Sequence, residues 1–278
     1  MDCKKPFGTG ADYKNLTLFN DIDAKKKKAA TAKGRKDIKL SKNKKTTTDS
    51  LIEKPQSRIA ILISNGSIRH YSQVWKNVKN ITGSSTEAPF IAAADGGSMH
   101  CINFRVVPDL IIGDMDSIAK SMIEKLNAVA PGKDIEFITC SPSKDESDTQ
   151  LALDHLARSG FKKVIILGAF GSRADHSFAN IVLLANPAYD GLKISIVTDN
   201  SEIFVEKSPF AIEGMPGKKL SLFSLSPYVY FKKTTGLLYS LKKEKLVFSP
   251  VRGLSNEFTE NTAKIDFSEG ELLVIREL

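Results

Sequence analysis

Between residues 58 and 200, short apolar runs alternate with segments of helical period, and no other feature narrows the possible fold as far. The runs are Ile59–Ile63, Phe90–Ala94, Leu110–Ile112, Ile135–Thr139, Val164–Leu167 and Ile194–Val197. Between them lie sets such as Ile118, Met122, Leu126, Val129 and Phe178, Ile181, Val182, Ala185, whose spacing gathers apolar side chains on one helical face. Strand–helix alternation of this kind predicts a parallel sheet covered by helices. One helix carries its own punctuation: Ser147-Asp148-Thr149-Gln150 fits a capping box, and Gly160 closes the segment.

The loops after the runs carry the chemistry. They read Ser64-Asn65-Gly66, Asp95-Gly96-Gly97, Gly113-Asp114-Met115-Asp116-Ser117, Ser143-Lys144-Asp145-Glu146-Ser147-Asp148, and Gly168 through Arg173-Ala174-Asp175-His176. In an open parallel sheet these points share one edge, at the carboxyl ends of the strands, where ligands bind. Carboxylates gathered on one rim repel unless a cation neutralises them. Asp114 and Asp116 have the spacing that lets two carboxylates at a strand end approach one ion, and Mg²⁺ is usually held by a few carboxylates plus substrate phosphates. Lys144 and Arg173 suit phosphate oxygens, Arg with a planar fork. Glycine at 96–97 permits close approach by a ligand.

Each piece has a plainer reading. Asp114 and Asp116 fit turn or N-cap positions, Arg173 fits a simple pair with Asp175, and His176 fits a capping or packing role. Neither a G-x-G-x-x-G fingerprint nor a G-x-x-x-x-G-K-[ST] loop is present. Taken jointly, the five loops predict a magnesium–phosphate site.

After residue 200 the helical period ends. Short β-rich runs follow, Glu202–Val205, Leu220–Leu225, Tyr228–Phe231, Lys245–Phe248, Ala263–Phe267 and Leu272–Ile275, punctuated by Pro and Gly. They predict a small all-β sandwich or barrel. The expected organisation is therefore a disordered basic extension over 1–57, an α/β domain over 58–200 and a β-sandwich over 201–278.

Charge belongs to the extension. The 278 residues carry a net charge of +8, but residues 1–58 hold 16 Lys and Arg against 7 Asp and Glu, leaving 24 against 25 in 59–278. A near-neutral body offers no basic groove, so no nucleic-acid role is expected. The extension lacks periodicity and cannot bury enough surface to offset its ordering entropy. Its Lys25–Lys28 and Lys33–Lys36 clusters leave a nuclear address open. No apolar signal segment follows Met1, and Asp2, Asp12, Asp21 and Asp23 stand where a transit peptide avoids acids. No run approaches 18 apolar residues, and Cys3, Cys101 and Cys140 form no metal or disulfide spacing. A cytoplasmic protein without a membrane span is expected.

Over 58–278 the sequence resembles the thiamine pyrophosphokinase family. The resemblance is carried by AADGG (93–97), PDLIIGDMDSI (108–118), KDESDTQLALDHL (144–156), LGAFGSRADHSFANI (167–181), TTGLLYSL (234–241) and GLSNE (253–257), in the family's order. It implies transfer of pyrophosphate from ATP to the hydroxyl of thiamine, releasing AMP, by a homodimer whose site is shared between subunits. It implies that Asp114, Asp116 and Asp148 are magnesium-linked acids, and that Asn65, Asp95, Gly96, Gly97, Lys144, Asp145, Arg173, Asp175 and His176 surround the nucleotide and its phosphates. Ser255 and Asn256 match the residues that contact thiamine, and Tyr239 stands where relatives often carry Trp or another aromatic. Two other readings remain at this point: a magnesium phosphatase with an aspartyl nucleophile, and a non-catalytic nucleotide-binding protein.

Overall fold

The computed structural model describes residues 59–83, 88–115, 120–129, 132–141 and 145–278. The basic extension, Asp116 and Lys144 lie outside the described residues. Six parallel strands form first: β1 (Ile59–Ile63), β2 (Phe90–Ala94), β3 (Leu110–Gly113), β4 (Glu136–Thr139), β5 (Lys163–Leu167) and β6 (Lys193–Val197). Their spatial order is β6-β5-β1-β2-β3-β4. Five α-helices lie among the described residues: α1 (Tyr71–Thr82), α2 (Ser98–Phe104), α3 (Lys120–Val129), α4 (Asp148–Arg158) and α5 (Ala174–Leu183).

The two-residue period of a strand explains how β1 uses both its faces. Ala60 and Leu62 pack with Ala152, Leu153 and Leu156 of α4 and Leu183 of α5. Ile61 and Ile63 turn the other way, into Val74 and Val78 of α1, Cys101 of α2 and Leu126 of α3. A strand covered on both faces must be apolar throughout, which is why β1 reads as a run rather than an alternation. At α4 the capping box works as its residues require: the Ser147 hydroxyl accepts a hydrogen bond from the Gln150 amide at 3.2 Å.

Beyond residue 200 the strands divide between two sheets. β7 (Ser201–Glu206), β9 (Lys219–Ser224), β12 (Asn256–Glu257) and β14 (Leu272–Glu277) continue the large sheet antiparallel, giving ten strands in the order β12-β9-β14-β7-β6-β5-β1-β2-β3-β4. β8 (Phe210–Glu213), β10 (Tyr228–Thr235), β11 (Lys242–Val247) and β13 (Thr262–Glu269) form a second sheet, ordered β11-β10-β13-β8. Phe231, Ile265 and Phe267 from the small sheet meet Leu220, Leu222 and Val274 from the large one in a shared core. This is the expected sandwich, but half of it is built on the end of the α/β sheet. The join is β6–β7, a tight antiparallel hairpin turning through 198–200. No described helix is long and apolar enough to cross a membrane.

Candidate functional site

The strand order turns back at β1. β2, β3 and β4 extend the sheet on one side of it, and β5 and β6 on the other. After β1 the chain enters α1 on one face; after β5 it enters α5 on the opposite face. Loops that part in this way open a crevice at the strand ends. Here they are first stitched together: the Ser64 amide donates to Leu167 O (2.8 Å), Gly66 N to Gly168 O (2.7 Å) and Ser67 N to Phe170 O (2.6 Å). Gly66 is required by that stitch, since a β-carbon there would stand 2.3 Å from the Gly168 carbonyl oxygen.

Above the stitch lies a cleft of about 310 Å³, lined by Asn65, Asp95, Asp148, Arg173 and His176 among others. Those five were expected from the sequence, and the fold brings them together from four separate loops. Asp95 is its most unusual member. It is 7% exposed, its φ is +41°, and its Oδ1 has no hydrogen-bond partner among the described residues. An unmet buried polar atom costs about 1–3 kcal/mol, more when charged, so this oxygen suits either a hydrogen-bond donor or a cation. Asp148 sits in the first turn of α4, which is tied to the end of β1 by a 2.9 Å hydrogen bond between the Ser64 and Thr149 hydroxyls. The positive end of that helix favours anionic groups nearby.

Arg173 and Asp175 form the simple pair that their spacing allowed. Nε of Arg173 donates to Oδ1 at 3.2 Å and a terminal nitrogen to Oδ2 at 2.6 Å. The Arg173 hydrogen bonds, with a backbone amide at His176, hold the Asp175 carboxyl below its ordinary range. Both side chains remain open to solvent, leaving the other guanidinium N–H groups available to phosphate oxygens.

Other expected residues stand apart from the lining. Asp114 leaves β3 half-buried; it is the preceding Gly113 that runs against Asp95, where a β-carbon would lie 2.7 Å from the Asp95 β-carbon. Asp145 is exposed ahead of the α4 cap. Gly96 and Gly97 are buried in the 3₁₀ turn after β2, and their close neighbours are the Asn65 side chain and the end of β1 rather than open cleft. Among the described residues no three His, Cys, Asp or Glu side chains converge on one point. The carboxylates of Asp95 and Asp148 in the lining nonetheless fit a hard cation, which takes oxygen ligands.

Several residues that shape the cleft escaped the sequence reading. The buried Asn180 donates to Ala169 O at 2.7 Å, fixing the loop after β5. The Ser177 hydroxyl accepts from Gly171 N and donates to Arg173 O, closing the first turn of α5. His100 supports the opposite wall: its Nε2 donates to Gly66 O at 2.7 Å, so Nδ1 accepts from the Tyr71 hydroxyl at 2.7 Å. Burial lowers the His100 pKa, with the Gly66 bond opposing it. Serines, asparagines and a lone histidine at helical spacing carry no signal that separates these roles from ordinary packing.

Comparison with known proteins follows the division of the chain. The family model described as thiamin pyrophosphokinase, catalytic domain, matches residues 81–196, and that described as thiamin pyrophosphokinase, vitamin B1 binding domain, matches 203–272. The chain belongs to the thiamin pyrophosphokinase family. Thiamine pyrophosphokinase of Bacillus subtilis is 25% identical over 201 residues, covering 72% of this chain and 92% of that protein. Thiamine pyrophosphokinase 1 of rice is 25% identical over 183 residues, covering 62% and 67%. The crystal structure of the Bacillus subtilis protein shares the fold at a TM-score of 0.66 with 23% identity, covering 79% of this chain and 99% of that one. Yeast thiamin pyrophosphokinase does so at 0.65 with 16% identity, covering 81% and 88%.

The family's second signature falls in the sandwich, away from the cleft, whose lining ends at Asn180. Tyr239 is 67% exposed, flanked by Leu238 at 54%, with Leu254 at 62% nearby in sequence to Asn256. Asn256 itself is buried and works as a clamp. Its Nδ2 donates to Tyr239 O (2.8 Å), while its Oδ1 accepts from the amides of Tyr239 (3.0 Å) and Glu257 (2.9 Å). Ser255 is exposed at a left-handed φ of +57°, its amide donating to the Ser221 hydroxyl at 3.0 Å.

Proposed function

We propose that this chain is a thiamine pyrophosphokinase, transferring the β,γ-pyrophosphoryl group of ATP to the hydroxyl oxygen of thiamine and releasing AMP. The observation that carries the reading is the union of both family signatures, in order, with a cleft at the β1/β5 switch lined by a buried unmet carboxylate and a phosphate-sized arginine fork.

In this reaction the thiamine oxygen forms a bond to the β-phosphorus as the bond from that phosphorus to the AMP oxygen breaks. Such transfers are governed by alignment and charge neutralisation. The cleft supplies both from the chain itself: α4 and α5 aim their amino ends at it, and Arg173 reaches phosphate oxygens at its mouth. Asp114, Asp116 and Asp148 would hold Mg²⁺, with Asp95 beside them. When bound, Mg²⁺ neutralises phosphate charge. Asn65, Asp145 and His176 would border the nucleotide, and Lys144 its phosphates.

Thiamine binding is assigned to Tyr239, Ser255 and Asn256. Tyr239 offers an exposed face for stacking, Ser255 an exposed hydroxyl, and Asn256 acts by holding the Tyr239 turn in place. The two halves of the site are supplied by different subunits of a homodimer, which also covers the exposed Leu238 and Leu254. Among the described residues neither the buried Cys101 nor the half-buried Cys140 forms a disulfide, which accords with a reducing cytoplasm; entry to the nucleus would rest on the basic extension.

Incubation with ATP, Mg²⁺ and thiamine, followed by chromatography, should yield AMP and thiamine diphosphate in equal amounts. Inorganic phosphate alone, or no product, would overturn the assignment. Co-expressing Asp148→Asn with Tyr239→Ala, assayed at thiamine well below KM where Tyr239→Ala alone retains only about a tenth of normal activity, tests the shared site. Random pairing makes about half of the dimers mixed, each with one intact site, so about a quarter of normal activity should return. No recovery in proven mixed dimers would place both halves in one chain.

A further inference from the structure

The large sheet changes its cover midway. On one face the helices α1–α3 lie over the parallel strands, and the four-stranded sheet lies over β7, β14 and β9. Between these covers a gap of about 660 Å³ opens over β5, β6 and β7, with Ile81 of α1 on one side and Phe210 and Ile212 of β8 on the other. It lies at the starts of β5 and β6, the end of the sheet opposite the cleft.

Its floor is charged. Lys163 and Lys193 are register partners on adjacent strands, and Ser195 follows Lys193 on the same face. Two ammonium groups side by side repel, and neither forms an ion pair with a described residue; Lys163 donates only to Ile81 O, at 3.0 Å. The nearby carboxylates, Glu202 toward Lys163 and Glu206 toward Lys193, offset this charge without pairing with it. Glu202 is committed to Arg276, which binds it at 2.6 and 2.8 Å and also donates to Glu213 O. Glu206, reached next along β7, makes no ion pair with Lys193, and burial raises its carboxyl pKa, weakening it as a counter-charge. Beside the lysines the Ser195 hydroxyl is buried with no hydrogen-bond partner among the described residues. A hydroxyl rarely goes unmet in a folded interior.

We infer that Lys163, Lys193 and Ser195 form a second anion site, which takes a phosphoryl group in the gap between the helical layer and the small sheet. A tetrahedral oxyanion relieves the lysine repulsion and satisfies the serine at once. The gap has room for more than the anion, with the paired rings of Phe204 and Phe210 on its wall. Inorganic phosphate and a nucleoside monophosphate therefore share the chemistry. The monophosphate is the product of the reaction proposed above; the phosphate arm of the test does not depend on that reaction.

The test is calorimetric titration of the full-length protein with inorganic phosphate and, separately, with AMP. Arg173→Ala is included to remove binding in the cleft. A site that survives Arg173→Ala and weakens about tenfold or more in Lys193→Ala, an exposed position whose loss leaves the fold intact, supports the inference. Lys163→Met should weaken it similarly, Ser195→Ala less, and Glu206→Gln should tighten it by removing a competing negative charge. Turnover at low AMP should be unchanged in Lys193→Ala. Tighter binding of AMP than of phosphate identifies the nucleotide as occupant, and equal or weaker binding identifies free phosphate. Binding of neither ligand to Arg173→Ala, or binding indifferent to Lys193, Lys163 and Glu206 alike, overturns the site.

Discussion

The cleft and the tip of the sandwich hold the two halves of the family signature in opposite ways. At the cleft the backbone is stitched between β1 and β5, the walls are braced by buried side chains, and an acid is held with an oxygen unmet. At the sandwich tip the aromatic and aliphatic side chains stand in solvent, and only their backbone is fixed, by Asn256. The first region is pre-organised for charge, which water would otherwise screen. The second presents apolar area, which gains free energy only when something covers it. Changes at the cleft should therefore act on turnover, and changes at the tip on substrate affinity.

The sharpest way to break that contrast is Asp95→Asn. The amide fits the same left-handed backbone, which Asn tolerates well, but removes the charge. Turnover should fall by about 100-fold or more, the scale of losing a pre-organised electrostatic partner. Stability should hold or rise, because an uncompensated buried charge is removed. The checks are steady-state kinetics and thermal unfolding of the same preparation. A variant that loses stability and keeps its turnover would make Asp95 a structural acid.

The tip should answer differently. Tyr239→Ala should raise KM for thiamine about tenfold, by loss of about 1–2 kcal/mol of ring contact, with KM for ATP and the melting temperature unchanged. Asn256→Ala should do the same to KM and also lower stability by about 2–3 kcal/mol, since two amides and a carbonyl lose their partner. The difference between the two variants separates contact from positioning. Equal melting temperatures would show that the clamp is dispensable.

The same contrast governs how much could be read from the sequence. β1 and β2 were legible to the residue, because strands buried on both faces show as apolar runs, and α4 was legible through Ser147 and Gln150. Asp95, Asp148 and Arg173 were legible as a group because every loop after a parallel strand reaches one edge. What stayed hidden depends on distant pairing. β14 inserts between β7 and β9, the last strand beside two earlier ones, and no local pattern encodes that choice. β12, two residues long, has no period at all. Asn256 reads as a ligand contact in the motif, and only its three hydrogen bonds to the backbone reveal it as a brace.

The smallest effect expected is on pH dependence, and it belongs to the cleft wall. His100 is neutral when its Nε2 donates to Gly66 O and its Nδ1 accepts from Tyr71. Burial, the larger influence, lowers its pKa from the ordinary 6.5. The unfolded chain therefore binds a proton at a higher pH than the folded one. The stability that the neutral ring contributes is complete above 6.5 and is lost as pH falls through that value toward the lowered folded one. His155, lowered in the same direction by burial, adds to the same slope from α4. Urea midpoints measured from about pH 7.5 down to 5 should decline, and His100→Gln, which retains a donor for Gly66, should flatten part of that decline. Protonating His100 turns both ring nitrogens into donors, so Tyr71 must rotate to accept although Asn103 already donates to it at 3.0 Å. A charged ring is driven from this half-buried position toward solvent, and the support then lost is that of Gly66 O, not of the sandwich. Acid should accordingly loosen hydrogen exchange at Gly66 and Ser67 before it touches the amide of Tyr239; simultaneous loosening of both would show that the two regions respond as one.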